Sequence, residues 1–287
     1  MVLRRTLANP VPVRKYEGPA ATILWGDVNE ALATHVRPGS VDLVIADPPY
    51  NIGKQFGARR DRWPDDAAYL AWCADWLALC VRALAPRGTL YLMASTQSMP
   101  LLDLHLRTRL HVLSRIVWAY DSSGVQARRK FGSLYEPILH CVVDPNDYTF
   151  DAAAIQVEAR TGATRRLIDH RKPVPTLYNT HKVPGNVWSF PRVRYRMPEY
   201  EDHPTQKPEA LISRMIAASS RPGDLVLDLF AGTFTTSAVA QRLGRRSLAI
   251  EVEPDYVAIG LRRLGLAERF RGQRLRAPEK SFVPASK

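Results

Sequence analysis

Asp47-Pro48-Pro49-Tyr50 closes an apolar run, Val41 to Ala46, and concentrates more chemistry in fewer residues than any other stretch of the chain. Two prolines fix the backbone and bring no amide hydrogens, so the Pro48 carbonyl can be held outward beside the Asp47 carboxylate. Two acceptors then face one point. An exocyclic amino group placed there would donate both its hydrogens, be drawn toward tetrahedral geometry, and free its lone pair to attack an electrophilic methyl held in line. Tyr50 is suited to stack on the ring that carries such a group.

A second segment, Asp228-Leu229-Phe230-Ala231-Gly232-Thr233, also ends an apolar run, Leu225 to Leu227. Small residues at a turn let the backbone approach a ligand, and free amides at the start of a following helix favour a carboxylate. Glu251 ends the next strand, at the distance from Gly232 where dinucleotide folds place the acceptor of ribose hydroxyls. The segment is neither Gly-x-Gly-x-x-Gly nor a phosphate loop with its lysine. It therefore indicates an adenosyl ligand without a pyrophosphate, and it argues against a nicotinamide-dependent oxidoreductase.

The elements that must hold these segments are legible from hydrophobic periodicity. Ala21 to Trp25, Val41 to Ala46 and Gly88 to Ala94 read as strands, with a helix between the last two marked by Tyr69, Leu70, Cys73, Trp76, Leu77, Cys80, Val81 and Leu84. Arg115 to Tyr120 and Pro137 to Val143 are two further strands, close enough in sequence to pair antiparallel near one edge. Beyond Pro208, expected as the first residue of a helix, the order is helix, strand Leu225 to Leu227, helix Thr235 to Leu243, strand Ser247 to Val252 and helix Pro254 to Leu264. This series predicts a doubly wound α/β sheet, whose ligands bind at the carboxyl ends of its parallel strands. Both segments fall there.

Between Ser122 and Asp202 periodicity weakens, and Arg128, Arg129, Lys130, Arg192 and Arg194 mix with Tyr135, Tyr148, Tyr178, Trp188 and Tyr195. Basic and aromatic residues in loops suit phosphate contacts with stacking or wedging beside an extruded base. The whole chain carries 40 basic and 28 acidic residues, a net charge of +12, which favours a polyanionic partner. Three irregularly spaced cysteines, Cys73, Cys80 and Cys141, provide neither a disulfide framework nor a zinc site, and no metal is expected. No apolar stretch is long enough to span a membrane, and Met1 to Pro12 lacks the apolar core of a secretory signal, so a cytoplasmic protein is expected. The tail 269–287 is basic and expected to fray.

With the catalytic tetrapeptide first, the basic region second and the Phe-x-Gly-x segment last, the chain resembles the β-class DNA amino-methyltransferases that depend on S-adenosylmethionine. The resemblance covers roughly residues 20 to 266. It implies a mostly parallel, seven-stranded, Rossmann-like methyltransferase sheet with an inserted target-recognition region. Residues 20–121 and 203–268 would form one discontinuous domain, and 122–202 would hold the final sheet strands and the recognition region. Asp228, Phe230, Ala231, Gly232, Thr233 and Thr235 match the methionine-binding loop. The segment His203 to Pro208, with Lys207, matches the one over the donor; Glu251 matches the ribose acceptor, and Asp27 the carboxylate at the adenine ring. Asp47, Pro48, Pro49 and Tyr50 match the catalytic residues.

The departures are Leu229, where proline is usual, and Phe234, where a second glycine is usual; Phe234 is expected to narrow the donor pocket or demand a different turn. The implied reaction is transfer of a methyl to N6 of an adenine flipped from double-stranded DNA, with N4 of cytosine as the alternative and an inactive DNA-binding protein as a remoter one. Further likeness, at 51–54, 120–127 and 132–137, is to solitary bacterial adenine methyltransferases, a subgroup associated with the palindrome ATGCAT. Because a few side chains alter base readout, that site does not transfer by resemblance. The resemblance also allows a homodimer.

Overall fold

Strands that are apolar on both faces need cover on both, and the helices between them supply it. The computed structural model describes residues 12–120, 128–129 and 131–275. Its main sheet is built from β1 (Arg14–Glu17), β2 (Ala21–Trp25), β3 (Val41–Ala46), β4 (Leu84–Met93), β5 (His111–Ala119), β6 (Tyr135–Val142), β7 (Val187–Ser189), β8 (Leu225–Asp228) and β9 (Arg246–Glu251). The helices are α1 (Val28–His35), α2 (Asp66–Ala83), α3 (Met99–Leu106), α4 (Glu209–Ser219), α5 (Thr235–Arg242) and α6 (Pro254–Arg263). The strand order is β1-β2-β9-β8-β3-β4-β6-β5-β7.

Strands β2, β9, β8, β3 and β4 are mutually parallel, and β6 runs antiparallel to both its neighbours, β4 and β5. These seven strands are the expected sheet; two short edge strands widen it to nine. β1 pairs antiparallel with β2, and β7 pairs parallel with β5. Neither was foreseen, since three or four residues are too short for a period to register.

The alternation of strand side chains divides the core. Leu24, Val44, Leu90 and Leu92 point to the face covered by α1, α2 and α3, with Trp76 and Leu77 of α2 fully buried among them. Leu43, Ile45, Tyr91 and Met93 point to the other, under α4 and α5, while α6 closes over Ile23 and Ala249. Helix starts follow local chemistry: Asp27 accepts from the Asn29 and Glu30 amides to cap α1, and Asp65 accepts from the Ala68 amide to cap α2.

Several boundaries differ from those expected. β4 begins at Leu84, directly out of α2, because buried Leu84 pairs with Val41 before Ala85 to Gly88 leave the ladder. Pro208 is the N-cap of α4 in extended backbone, outside its first turn. The start of the tail is anchored: Arg269–Phe270 pairs with Gln273–Arg274, and Phe270 packs edge-on to Trp25 with ring centroids 5.2 Å apart. An aromatic side chain with a hydrophobic surface to cover outweighs the basic composition there. Residues 276–287 lie outside those described. Among the described residues no helix is long and apolar enough to cross a membrane.

Candidate active site

Parallel pairing of β3 with β8 sets Ile45 opposite Asp228, so Asp47 and the Phe230–Gly232 turn emerge side by side at the carboxyl edge of the sheet. A pocket opens between them. Of the catalytic and donor-binding residues expected from the sequence, Asp47, Lys207, Asp228, Phe230, Ala231, Gly232, Thr233 and Thr235 line it; Asp27, Pro48, Pro49, Tyr50 and Glu251 do not.

The tetrapeptide is held from outside. Tyr69 of α2 donates its hydroxyl to the Pro49 carbonyl at 2.9 Å, and buried Asp61 accepts the amide of Tyr50 at 3.2 Å and that of Lys54. The Tyr50 hydroxyl lies 2.7 Å from Asp47 Oδ1 and 3.0 Å from Glu136 Oε2, and its ring faces the Lys207 ammonium at 5.6 Å. Burial pushes the Asp47 carboxyl above its ordinary range, against the pull of Lys207.

Lys207 lines the pocket together with the Gly232 turn. It belongs to the segment expected over the donor, and its ammonium contacts the Asp47 carboxylate and stands 3.4 Å from Glu136. Burial would lower its pKa, but Asp47 and then Glu136 raise it above the ordinary lysine value, so it stays charged. The reason for its position is electrostatic: a buried ammonium must find carboxylates.

On the other side, Gly232 has φ +51, and a Cβ there would meet His203 Nε2 at 3.1 Å. Glu251 lies behind this turn, accepting the amide of Gly232 at 2.7 Å and those of Val252 and Glu253 at 2.8 Å each. Burial raises its carboxyl to about 7 and that of Asp228 to about 6. Asp27 follows β2, whose Trp25 pairs with Glu251; one of its oxygens is committed to capping α1. Phe234 has φ +60 but does not enter the pocket: its ring is fully buried beside Val257 and Leu261, where a Cβ at Gly260 would sit 2.5 Å from it. It takes the turn that glycine usually takes, and its ring fills the gap over Gly260.

Sequence reasoning did not foresee the placement of Glu136. Its signal was a lone acid second in a mostly apolar strand. His203, first residue of the segment expected over the donor, accepts the Thr205 amide at Nδ1 and lines the pocket, its ring wedged between Phe56 and Tyr256. Burial lowers its pKa to about 3, so the imidazole is neutral. Of the basic residues, Arg128, Arg129 and Arg194 are exposed, Arg192 lies over the Tyr120 ring at 5.2 Å, and Lys130 is outside the described residues. Cys73, Cys80 and Cys141 are buried thiols.

A parallel sheet with β6 reversed near one edge, and acidic residues at the ends of β8 and β9, defines the methyltransferase class of α/β fold. Within that class, residues 41–262 match the family described as DNA methylase, and this chain belongs to it. It is 52% identical over 261 residues, 91% of its own length and 88% of the relative's, to DNA adenine methyltransferase YhdJ of Escherichia coli (strain K12). Its fold is similar to that of the cytosine-N4-specific PvuII DNA methyltransferase, with TM-score 0.64 and 18% identity, covering 89% of this chain and 90% of that one. The M1.HpyAVI–SAM complex is similar too, with TM-score 0.56 and 22% identity, covering 85% of this chain and 99% of that one.

Proposed function

We propose that this chain transfers a methyl group from S-adenosylmethionine to N6 of an adenine flipped from double-stranded DNA, directly and without a covalent enzyme intermediate. The observation that carries this reading is the meeting of Asp47, first residue of the tetrapeptide, and the Gly232 turn at one pocket. The 52% identity to a protein named as an adenine methyltransferase supports N6 over N4.

The residues fit the donor. Its methionine part would lie against Phe230 to Thr233 and Thr235, where Gly232 leaves no room for a side chain beside His203. Glu251, with a lone-pair site left after accepting three amides, would take ribose hydroxyls, and Asp27 would face the adenine ring. When bound, the donor supplies a sulfonium-activated methyl.

The rest of the reaction belongs to the chain. The Asp47 carboxylate and the Pro48 carbonyl accept the two amino hydrogens and turn the nitrogen lone pair toward the pocket. The Tyr50 ring stacks on the flipped base, offsetting an unstacking cost of roughly a few kcal/mol. Arg128, Arg129, Lys130, Arg192 and Arg194, in a recognition region spanning 122–202, neutralise phosphates.

Nucleoside mass spectrometry on DNA from a methylation-free host expressing the chain tests the reading. N6-methyladenine is expected with the intact protein and not with Asp47→Ala. N4-methylcytosine would move the target base while keeping the mechanism; neither base, or undiminished product with Asp47→Ala, would overturn it.

A further inference from the structure

Three charged side chains from distant parts of the chain meet at the acceptor side of the pocket. Asp47 follows β3, Glu136 lies on β6 and Lys207 leads into α4. Lys207 contacts Asp47 and is 3.4 Å from Glu136 Oε2; the Tyr50 hydroxyl is 2.7 Å from Asp47 Oδ1 and 3.0 Å from Glu136 Oε2. That hydroxyl has one hydrogen and serves one carboxylate at a time. The two carboxylates therefore share the same two partners.

This sharing matters because both oxygens of Asp47 are engaged, Oδ1 by Tyr50 and Oδ2 by Lys207. An amino group arriving between Asp47 and the Pro48 carbonyl needs one of them. A buried ammonium cannot be left without a carboxylate, so Lys207 can withdraw only toward another one. Glu136 is in place to receive it.

We propose that Glu136 is a positioning residue for methyl transfer: it takes over Lys207 and the Tyr50 hydroxyl as the target amino group binds, freeing an Asp47 oxygen to accept the amino hydrogen. The inference rests on Asp47 being that acceptor. Asp228 and Tyr69 also act on Asp47, Tyr120 and Lys54 face Glu136, and Lys54, His203, Tyr120 and Asp228 face Lys207. Among the described side chains, only Lys207 and Tyr50 contact both carboxylates.

The test is the single-turnover methylation rate against pH for the full chain and for Glu136→Gln, Lys207→Gln and Asp47→Ala. Glu136→Gln is expected to slow transfer about tenfold, the worth of one poorly held catalytic hydrogen bond. Its acidic limb moves down by about one pH unit, because a negative charge opposing ionised Asp47 is gone. Lys207→Gln moves the limb up, because the supporting cation is gone. Opposite shifts are the signature that a merely structural role does not produce. Should Glu136→Gln fail to fold, Glu136→Asp keeps the charge and withdraws it, and a slower rate with an unmoved limb is expected. A wild-type rate in whichever Glu136 variant folds, or limbs that move in the same direction, overturns the inference. An active Asp47→Ala would instead overturn the reading of Asp47 on which it stands.

Discussion

At the scale of single residues, burial decides how the carboxylates at this pocket titrate. Glu251 sits behind the Gly232 turn with its carboxyl at about 7, because burial outweighs the three amides that favour its charged form. A carboxyl raised in the folded state binds a proton that the unfolded chain has already lost. Its contribution to stability therefore falls as pH rises from the ordinary glutamate range through 7. Ribose hydroxyls donate to the ionised carboxylate, so donor binding draws the proton off, and donor affinity is expected to strengthen from pH 6 to pH 8. Calorimetry in two buffers of different ionisation enthalpy would detect proton release near pH 7; affinity flat with pH and no proton release would remove Glu251 from the donor site. The sequence had marked Glu251 by its spacing from Gly232, but nothing local announced the three amides. They arrive from a turn on a different strand and from the chain just beyond.

Elements, in contrast, carry most of their own instructions. α2 was legible because apolar residues repeat at helical spacing: Tyr69, Cys73, Trp76, Leu77 and Cys80 are buried, and Leu70 and Val81 at the margins of that face are half-buried. β5 and β6 were legible as an antiparallel pair because the two strands lie close in sequence. β7 was not, because Val187–Ser189 is three residues long in a basic, aperiodic stretch. Its place depends on Trp188, buried where Arg214 of α4 covers its ring at 5.2 Å. The contact between α6 and the turn leading to α5 is also a pairing of elements, in which Gly260 leaves the space that the Phe234 ring fills. Gly260→Val is expected to cost about 1–3 kcal/mol by overpacking, read as a lower unfolding temperature. Donor affinity should hold, since Phe234 points away from the pocket; a large loss of affinity without loss of stability would show that the ring shapes the donor site after all.

The charge of the whole molecule governs how it meets its substrate. With +12 overall and exposed arginines at 128, 129 and 194, binding to duplex DNA is expected to weaken steeply with salt. Arg128→Ala or Arg194→Ala should each reduce the slope of log K against log salt by about one, as expected for one lost phosphate contact. Fluorescence anisotropy across a salt series measures it, and an unchanged slope would take that arginine off the backbone. The sequence by itself determined the strand-helix alternation, the two motif segments at strand ends and the basic region, because period, proline chemistry and charge are local properties of the chain. It did not determine which side chains would stand together at the reacting point. Lys207 and Glu136 reach Asp47 only because β3, β6 and the start of α4 converge at one edge of the sheet, where a buried ammonium has to find its carboxylates. That pairing is a long-range electrostatic demand, and only the tertiary structure supplied the partners that satisfy it.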